Sequence, residues 1–154
     1  FDNAATGVSA AGSTAVTGDE IIDLFYSVAV DYRMAPSANW IVSPEAAKAI
    51  RQLKNPVTTS GSLQYLWTPG LGAAPDTLLG KPVYESDNVD PMTTGKKPIL
   101  FGDTSYYQIV DFGGFEFSRL DELYAASGQV GVRGIAFNDG ELLNTAACKV
   151  IELA

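Results

Sequence analysis

The chain has 154 residues, no histidine, one cysteine and a net charge of −8. That length suits one domain with a real core. It lacks the clustered Lys and Arg of a phosphate-backbone binder and the commonest general base and metal ligand. A lone Cys148 cannot form an intrachain disulfide, and its apolar surroundings read as those of a small buried filler. No apolar run approaches the roughly 18 residues of a spanning helix.

The first residue is Phe1, and the first eighteen positions are rich in Gly, Ala, Ser and Thr, without the basic and apolar regions of a signal peptide. Residues 1–17 read as a flexible lead-in, inherited from a longer protein whose N-terminal half is missing. Thr17-Gly18-Asp19-Glu20 is a capping box, with acidic residues at the positive helix end. Ile21, Leu24, Phe25, Val28 and Tyr32 then follow helical spacing, so a helix is predicted over 18–32, ended by Met34-Ala35-Pro36. Asn39 to Val42 is a short apolar strand. Ser43-Pro44 opens a second helix over 44–54, with Ala46, Ala47, Ile50 and Leu53 on its inner stripe.

Residues 55–76 are loop-rich, with a short strand at 63–67. Strands are predicted at 78–84, 98–102 (ending in a Gly102-Asp103 turn) and 106–111. Gly113-Gly114 reads as a break. Phe115 and Phe117 alternate with Glu116 and Ser118 as a half-buried strand. Residues 124–128 read as a turn and 129–138 as a long strand with Val130 and Val132 on one side. Asp139-Gly140 is a hairpin-turn signal.

Local chemistry is thin. Asp87-Asn88-Val89-Asp90 offers oxygen ligands but lacks the glycine and distal glutamate of an EF-hand, and reads as a solvated loop. Gly80-Lys81 and Gly95-Lys96 have Pro75 and Asp90 where a phosphate loop needs its earlier glycine. Glu116, Asp121 and Glu122 fall on a solvent face. Trp40 reads as core. Trp67, beside a Pro/Gly loop, reads either as core or as an exposed anchor for a neighbouring subunit.

The ordered set Leu78-Leu79-Gly80-Lys81-Pro82-Val83, a polar loop, Phe101-Gly102-Asp103, and Tyr107-Gln108-Ile109-Val110-Asp111 resembles the C-terminal half of tailed-bacteriophage major capsid proteins of the Hong Kong 97 type. Asn39-Trp40-Ile41-Val42-Ser43-Pro44-Glu45, Tyr65-Leu66-Trp67 and Arg133 through Asp139-Gly140 extend the resemblance over about 17–154. It implies an α+β fold: two helices on a small central sheet plus a long two-stranded ribbon. It implies an axial-like core (18–112 and 139–154) and a peripheral-domain-like ribbon (113–138). In the family the ribbon packs on a spine helix upstream, so one apolar side of it should be uncovered here.

The implied function is structural: a major capsid subunit that self-assembles into hexamers and pentamers of an icosahedral shell around phage DNA. The implied location is the virion, after synthesis in the host cytoplasm, with scaffold, protease or portal proteins as further partners. No enzyme activity, cofactor, metal, membrane or specific nucleic-acid site is expected. The expected subunit contacts are Trp67 and the ribbon tip, Tyr124, Ala125, Ala126, Ser127 and Gly128. The Asn and Glu that some members use for isopeptide cross-links have no counterparts in 124–133. The alternatives are an encapsulin-like nanocompartment shell and a small acidic carbohydrate-processing or binding domain.

Overall fold

The computed structural model describes residues 4–53, 67–70, 75–123 and 125–154, with only the backbone at residue 125. The chain divides into two units: Phe1–Tyr106 with Leu142–Ala154, and Tyr107–Glu141.

The first unit is a mixed sheet with helices packed on it. Its strands are β1 (Ala5–Ala10), β2 (Ala38–Val42), β3 (Trp67–Thr68), β4 (Thr77–Leu78), β5 (Lys81–Glu85), β6 (Ile99–Asp103) and β9 (Cys148–Leu153). They lie in the order β1-β9-β6-β2-β5-β4-β3. The β1–β9 and β2–β5 pairs are parallel and the others antiparallel. The helices are α1 (Gly18–Ser27), α2 (Val30–Arg33) and α3 (Pro44–Gln52).

Both long helices start as their sequences dictate. The Thr17 hydroxyl accepts the Glu20 amide at 3.3 Å, and Glu20 returns a carboxylate to the Thr17 amide at 2.7 Å. Ser43 caps α3 by accepting the Ala46 amide, with Pro44 in the first helical turn. Ile21, Leu24, Ala46, Ala47 and Ile50 are buried. Each fully buried Leu or Ile contributes about 1.5–3 kcal/mol.

Strand alternation gives the sheet two apolar faces. Trp40, Val42, Ile99, Phe101, Ile151 and Leu153 join the helix residues in the main core. Leu100, Cys148 and Val150 turn to the other side, with Ala4, Ile41 and Leu142. The centre of the main core is aromatic: the Trp40 and Phe101 rings lie 4.3 Å apart, and Phe25 from α1 sits 5.0 Å from Phe101. Trp40 donates its indole N–H to the Leu78 carbonyl at 3.0 Å, so its polar edge is satisfied where it is buried.

Several sequence expectations change. The helix predicted over 18–32 is two helices, because Val28 and Ala29 are extended between them. Lys149 from β9 donates to the Ser27 carbonyl at 2.6 Å and the Ser27 hydroxyl to the Leu24 carbonyl at 2.7 Å, satisfying the helix end. Val28 remains inward and Tyr32 partly so, which is why the periodicity reads through the break. The lead-in also differs: Ala5–Ala10 form β1 on β9, with Ala10 buried and Val8 packed on the core. Glu20 anchors the turn after it by accepting the Ala11 amide at 2.8 Å.

Gly102-Asp103 is not a turn but the end of β6. A Cβ at Gly102 would meet Cys148 Cα at 2.5 Å and lie closer still to the Ala147 carbonyl, so the glycine permits the β6–β9 approach. The predicted strand at 63–67 lies outside the described residues except for Trp67, which with Thr68 forms β3.

The second unit is β7 (Tyr107–Leu120) paired with β8 (Gly131–Leu142, its last residue belonging to the first unit), with a 3-10 turn at Ala125–Ser127. Tyr107 lies against Gly140 and Phe115 against Gly134, so the strands run antiparallel. The ribbon is longer than the predicted 113–138. Gly113-Gly114 does not end β7, which continues through both at positive φ. Asp139-Gly140 is not a hairpin turn but part of β8, where Gly140 makes room for the Tyr107 ring, 2.9 Å from its absent Cβ.

Gly102→Ala is expected to destabilise the chain by about 2–4 kcal/mol in denaturant unfolding, because backbone, not a side chain, occupies the needed space. Glu116→Ala, on an exposed stretch of β7, is expected to change stability by less than about 0.5 kcal/mol.

Candidate functional site

Polar side chains converge at two places in the first unit, and both brace the fold. At the first, the Asp103 carboxylate accepts the Ser37 and Ser105 hydroxyls, each at 2.6 Å, and the Ser105 amide at 3.0 Å. Asn39 ties the same corner together by donating to the Ser37 carbonyl and to the Thr104 hydroxyl at 3.2 and 3.0 Å. Burial pushes the Asp103 carboxyl up. The Ser105 and Ser37 hydroxyls, the Ser105 amide and the Lys81 ammonium outweigh it and hold it below the ordinary carboxylate value.

The second place is Asp76. Its carboxylate accepts the Gly70 amide at 2.7 Å and the Trp67 indole N–H at 2.8 Å, and it pairs with Arg51 of α3. The Gly70 amide, then the Trp67 indole, lower its pKa against the opposing effect of burial, with Arg51 adding to the lowering. The Arg51 guanidinium also lies 4.8 Å from the Trp67 ring centroid and 3.5 Å from Glu85. Trp67 is thus buried within its own unit, and the exposure needed to anchor a neighbour is absent. Of the two sequence readings, core is the one its position fits. Asp76 and Arg51 carried no sequence signal, and Asp103 was read only as part of a strand-end motif, since several of their partners lie 25 to 66 positions away.

The residues weighed for chemistry do not converge. Asp90 pairs with Lys96 at 3.7 Å, and the Asn88 amide turns to the Ser86 hydroxyl. Asp121 pairs with its neighbour Arg119 at 2.5 Å, while Glu116 and Glu122 face solvent. Among the described residues no group of three His, Cys, Asp or Glu is placed to hold a metal, and no helix is long and apolar enough to cross a membrane. Cys148 is buried and donates to the Asp103 carbonyl at 3.3 Å. Burial, then the nearby Asp103 charge, push its thiol up to about 11.

The exposed apolar surface is concentrated in the ribbon. Phe112, Phe117 and Val132 are 77%, 71% and 71% exposed, and Ile109, Phe115, Val130 and Phe137 are also open. Phe115 and Phe117 pack edge to face, centroids 4.5 Å apart. Of the predicted tip residues, Ala126, Ser127 and Gly128 are exposed; Tyr124 and the Ala125 side chain lie outside the described residues.

The described residues thus form a braced α+β unit and a two-stranded ribbon with exposed apolar side chains. The chain belongs to the phage capsid family, whose model it matches over residues 2–153. Its fold is similar to that of the capsid of an empty GTA particle (TM-score 0.74, 24% identity, 96% of this chain and 49% of that one). The capsid of the native GTA particle matches at TM-score 0.74 and 22% identity, over 96% of this chain and 48% of that one. A chain of Gordonia phage Cozz matches at TM-score 0.63 and 13% identity, over 99% of this chain and 50% of that one. The chain spans about half the length of these structures. No curated protein matches it.

Two outcomes follow from the buried groups. Asp103 and Asp76 have depressed folded pKa values, so their stabilisation is full above the unfolded value of about 3.9 and is lost as pH falls below it. Unfolding free energy should therefore drop from about pH 4 downward, and Asp103→Asn should flatten that dependence. At pH 8 iodoacetamide should leave Cys148 unmodified in the native chain and alkylate it in denaturant, as mass spectrometry would read.

Proposed function

We propose that this chain is the part of a major capsid subunit that forms the capsomer centre and the peripheral ribbon of an icosahedral shell. The carrying observation is the capsid-family match over residues 2–153. In this reading the unit of Phe1–Tyr106 with Leu142–Ala154 serves as the axial domain and Tyr107–Glu141 as the peripheral ribbon. Copies associate by heterologous contacts that close into hexamers and pentamers. The shell encloses phage DNA, is built in the host cytoplasm and ends in the virion, with scaffold, protease or portal proteins as assembly partners. The net charge of −8 favours enclosure of DNA over gripping it.

The role is structural and not catalytic. The sequence has no histidine, and its one thiol is buried and held protonated. The ribbon tip, residues 124–128, of which Ala126, Ser127 and Gly128 are exposed, reaches neighbouring capsomers in the assembled shell.

Expression of the full-length subunit, followed by electron microscopy, tests both parts. Closed shells with five-fold vertices that package DNA are expected. A subunit that stays monomeric, or shells filled with an enzyme cargo, would overturn the capsid reading. A bulky charged insertion at Ser127 is expected to leave capsomers intact and reduce closed shells at least about tenfold, as loss of a contact worth about 1.4 kcal/mol would. Normal shell yield from that variant would remove the tip's role alone.

A further inference from the structure

We infer that Gly113 and Gly114 form a two-residue bulge that acts as a hinge within the ribbon. Two cross-strand contacts frame it. At one end the Tyr107 ring covers Gly140, its Cζ 2.9 Å from where a Cβ would stand. At the other the Phe115 ring covers Gly134, its Cζ 2.8 Å from the equivalent position. Any side chain at either glycine would displace the ring, so both contacts hold the two strands together locally.

β7 runs over fourteen residues and β8, the strand it pairs with, over twelve. Two residues of β7 are therefore in excess. Gly113 and Gly114 are the two residues of β7 at positive φ, +76° and +67°. That conformation is costly for residues with a Cβ and readily adopted by glycine. Nothing lies within 4 Å of an added Cβ at either position, so neither glycine is there to make room for a neighbour. What both supply is backbone freedom.

The mechanical consequence follows from the asymmetry. A bulge on one strand bends and twists a ribbon locally, while the partner strand runs on. Two glycines offer many torsional states at small cost, and no side-chain packing selects one of them. Bending is thus concentrated between two clamped segments, one held by Tyr107 on Gly140 and the other by Phe115 on Gly134. The use of such a hinge rests on the shell reading: identical chains in five-fold and six-fold surroundings need different ribbon curvatures.

Residual dipolar couplings on this chain test the hinge without reference to assembly. In the native sequence the two clamped segments are expected to require separate alignment tensors, differing about twofold in magnitude, as independently moving segments do. Deleting Gly113 and Gly114 equalises the two strands in length and should bring both segments onto one tensor. If that deletion does not fold, Gly113→Asn with Gly114→Asn serves instead. Asn tolerates positive φ but is stiffer than glycine, so the tensors should converge with the Tyr107–Gly140 and Phe115–Gly134 contacts kept. A single tensor for the native ribbon makes the bulge a fixed kink and overturns the proposal, as do two unchanged tensors in the variant. Failure here would leave the shell reading standing, and absence of shells would leave the hinge standing.

Discussion

The first unit depends on burying Trp40. Its indole sits on the central strand, 4.3 Å from the Phe101 ring of β6 and 6.3 Å from the Phe25 ring of α1, with its N–H on the Leu78 carbonyl of β4. One side chain therefore couples the middle of the sheet, the helix layer and the short outer strands. The burial of a large ring supplies the driving force, and the hydrogen bond sets its orientation. The helices need this surface, because a ten-residue helix such as α1 is marginal in water without a face to pack on.

Charges then hold what the apolar core leaves open. Asp103 gathers Ser37 and Ser105 where β2 begins and β6 ends. Asp76 joins α3 to the chain after β3 through Arg51, Trp67 and Gly70. Lys149 and Lys81 close carbonyls at Ser27 and Ala35. Ionised donors and acceptors strengthen such bonds relative to neutral pairs. Each of these charged groups has its partners within the unit, so polarity here serves architecture.

The ribbon follows a different economy. A two-stranded sheet has no interior, so its Phe, Val and Ile side chains stay open even though they alternate as a half-buried strand would. The Phe115–Phe117 pair along β7 and the cross-strand aromatic covers on Gly134 and Gly140 supply its local order.

Much of this was legible in the chain. The caps at Thr17 and Ser43, the inner stripes of α1 and α3 and the apolar β2 and β6 all follow from local pattern, while the open side of the ribbon was implied by the resemblance. The capsid resemblance was legible as an ordered series of short motifs. What misled were the glycines, because a turn, a bulge and a close approach all call for the same residue. Gly102, Gly113, Gly114 and Gly140 read as turns or breaks, yet each lies inside a strand, for reasons set by the backbone or ring opposite. The break after Ser27, the pairing of β1 with β9, the inward turn of Trp67 and the charged nodes at Asp76 and Asp103 were decided by tertiary structure alone. Sequence determines the period and the caps because these act within a few residues. Partners tens of residues away, such as Lys149 for Ser27, are chosen only when the folded backbone brings them within hydrogen-bond reach.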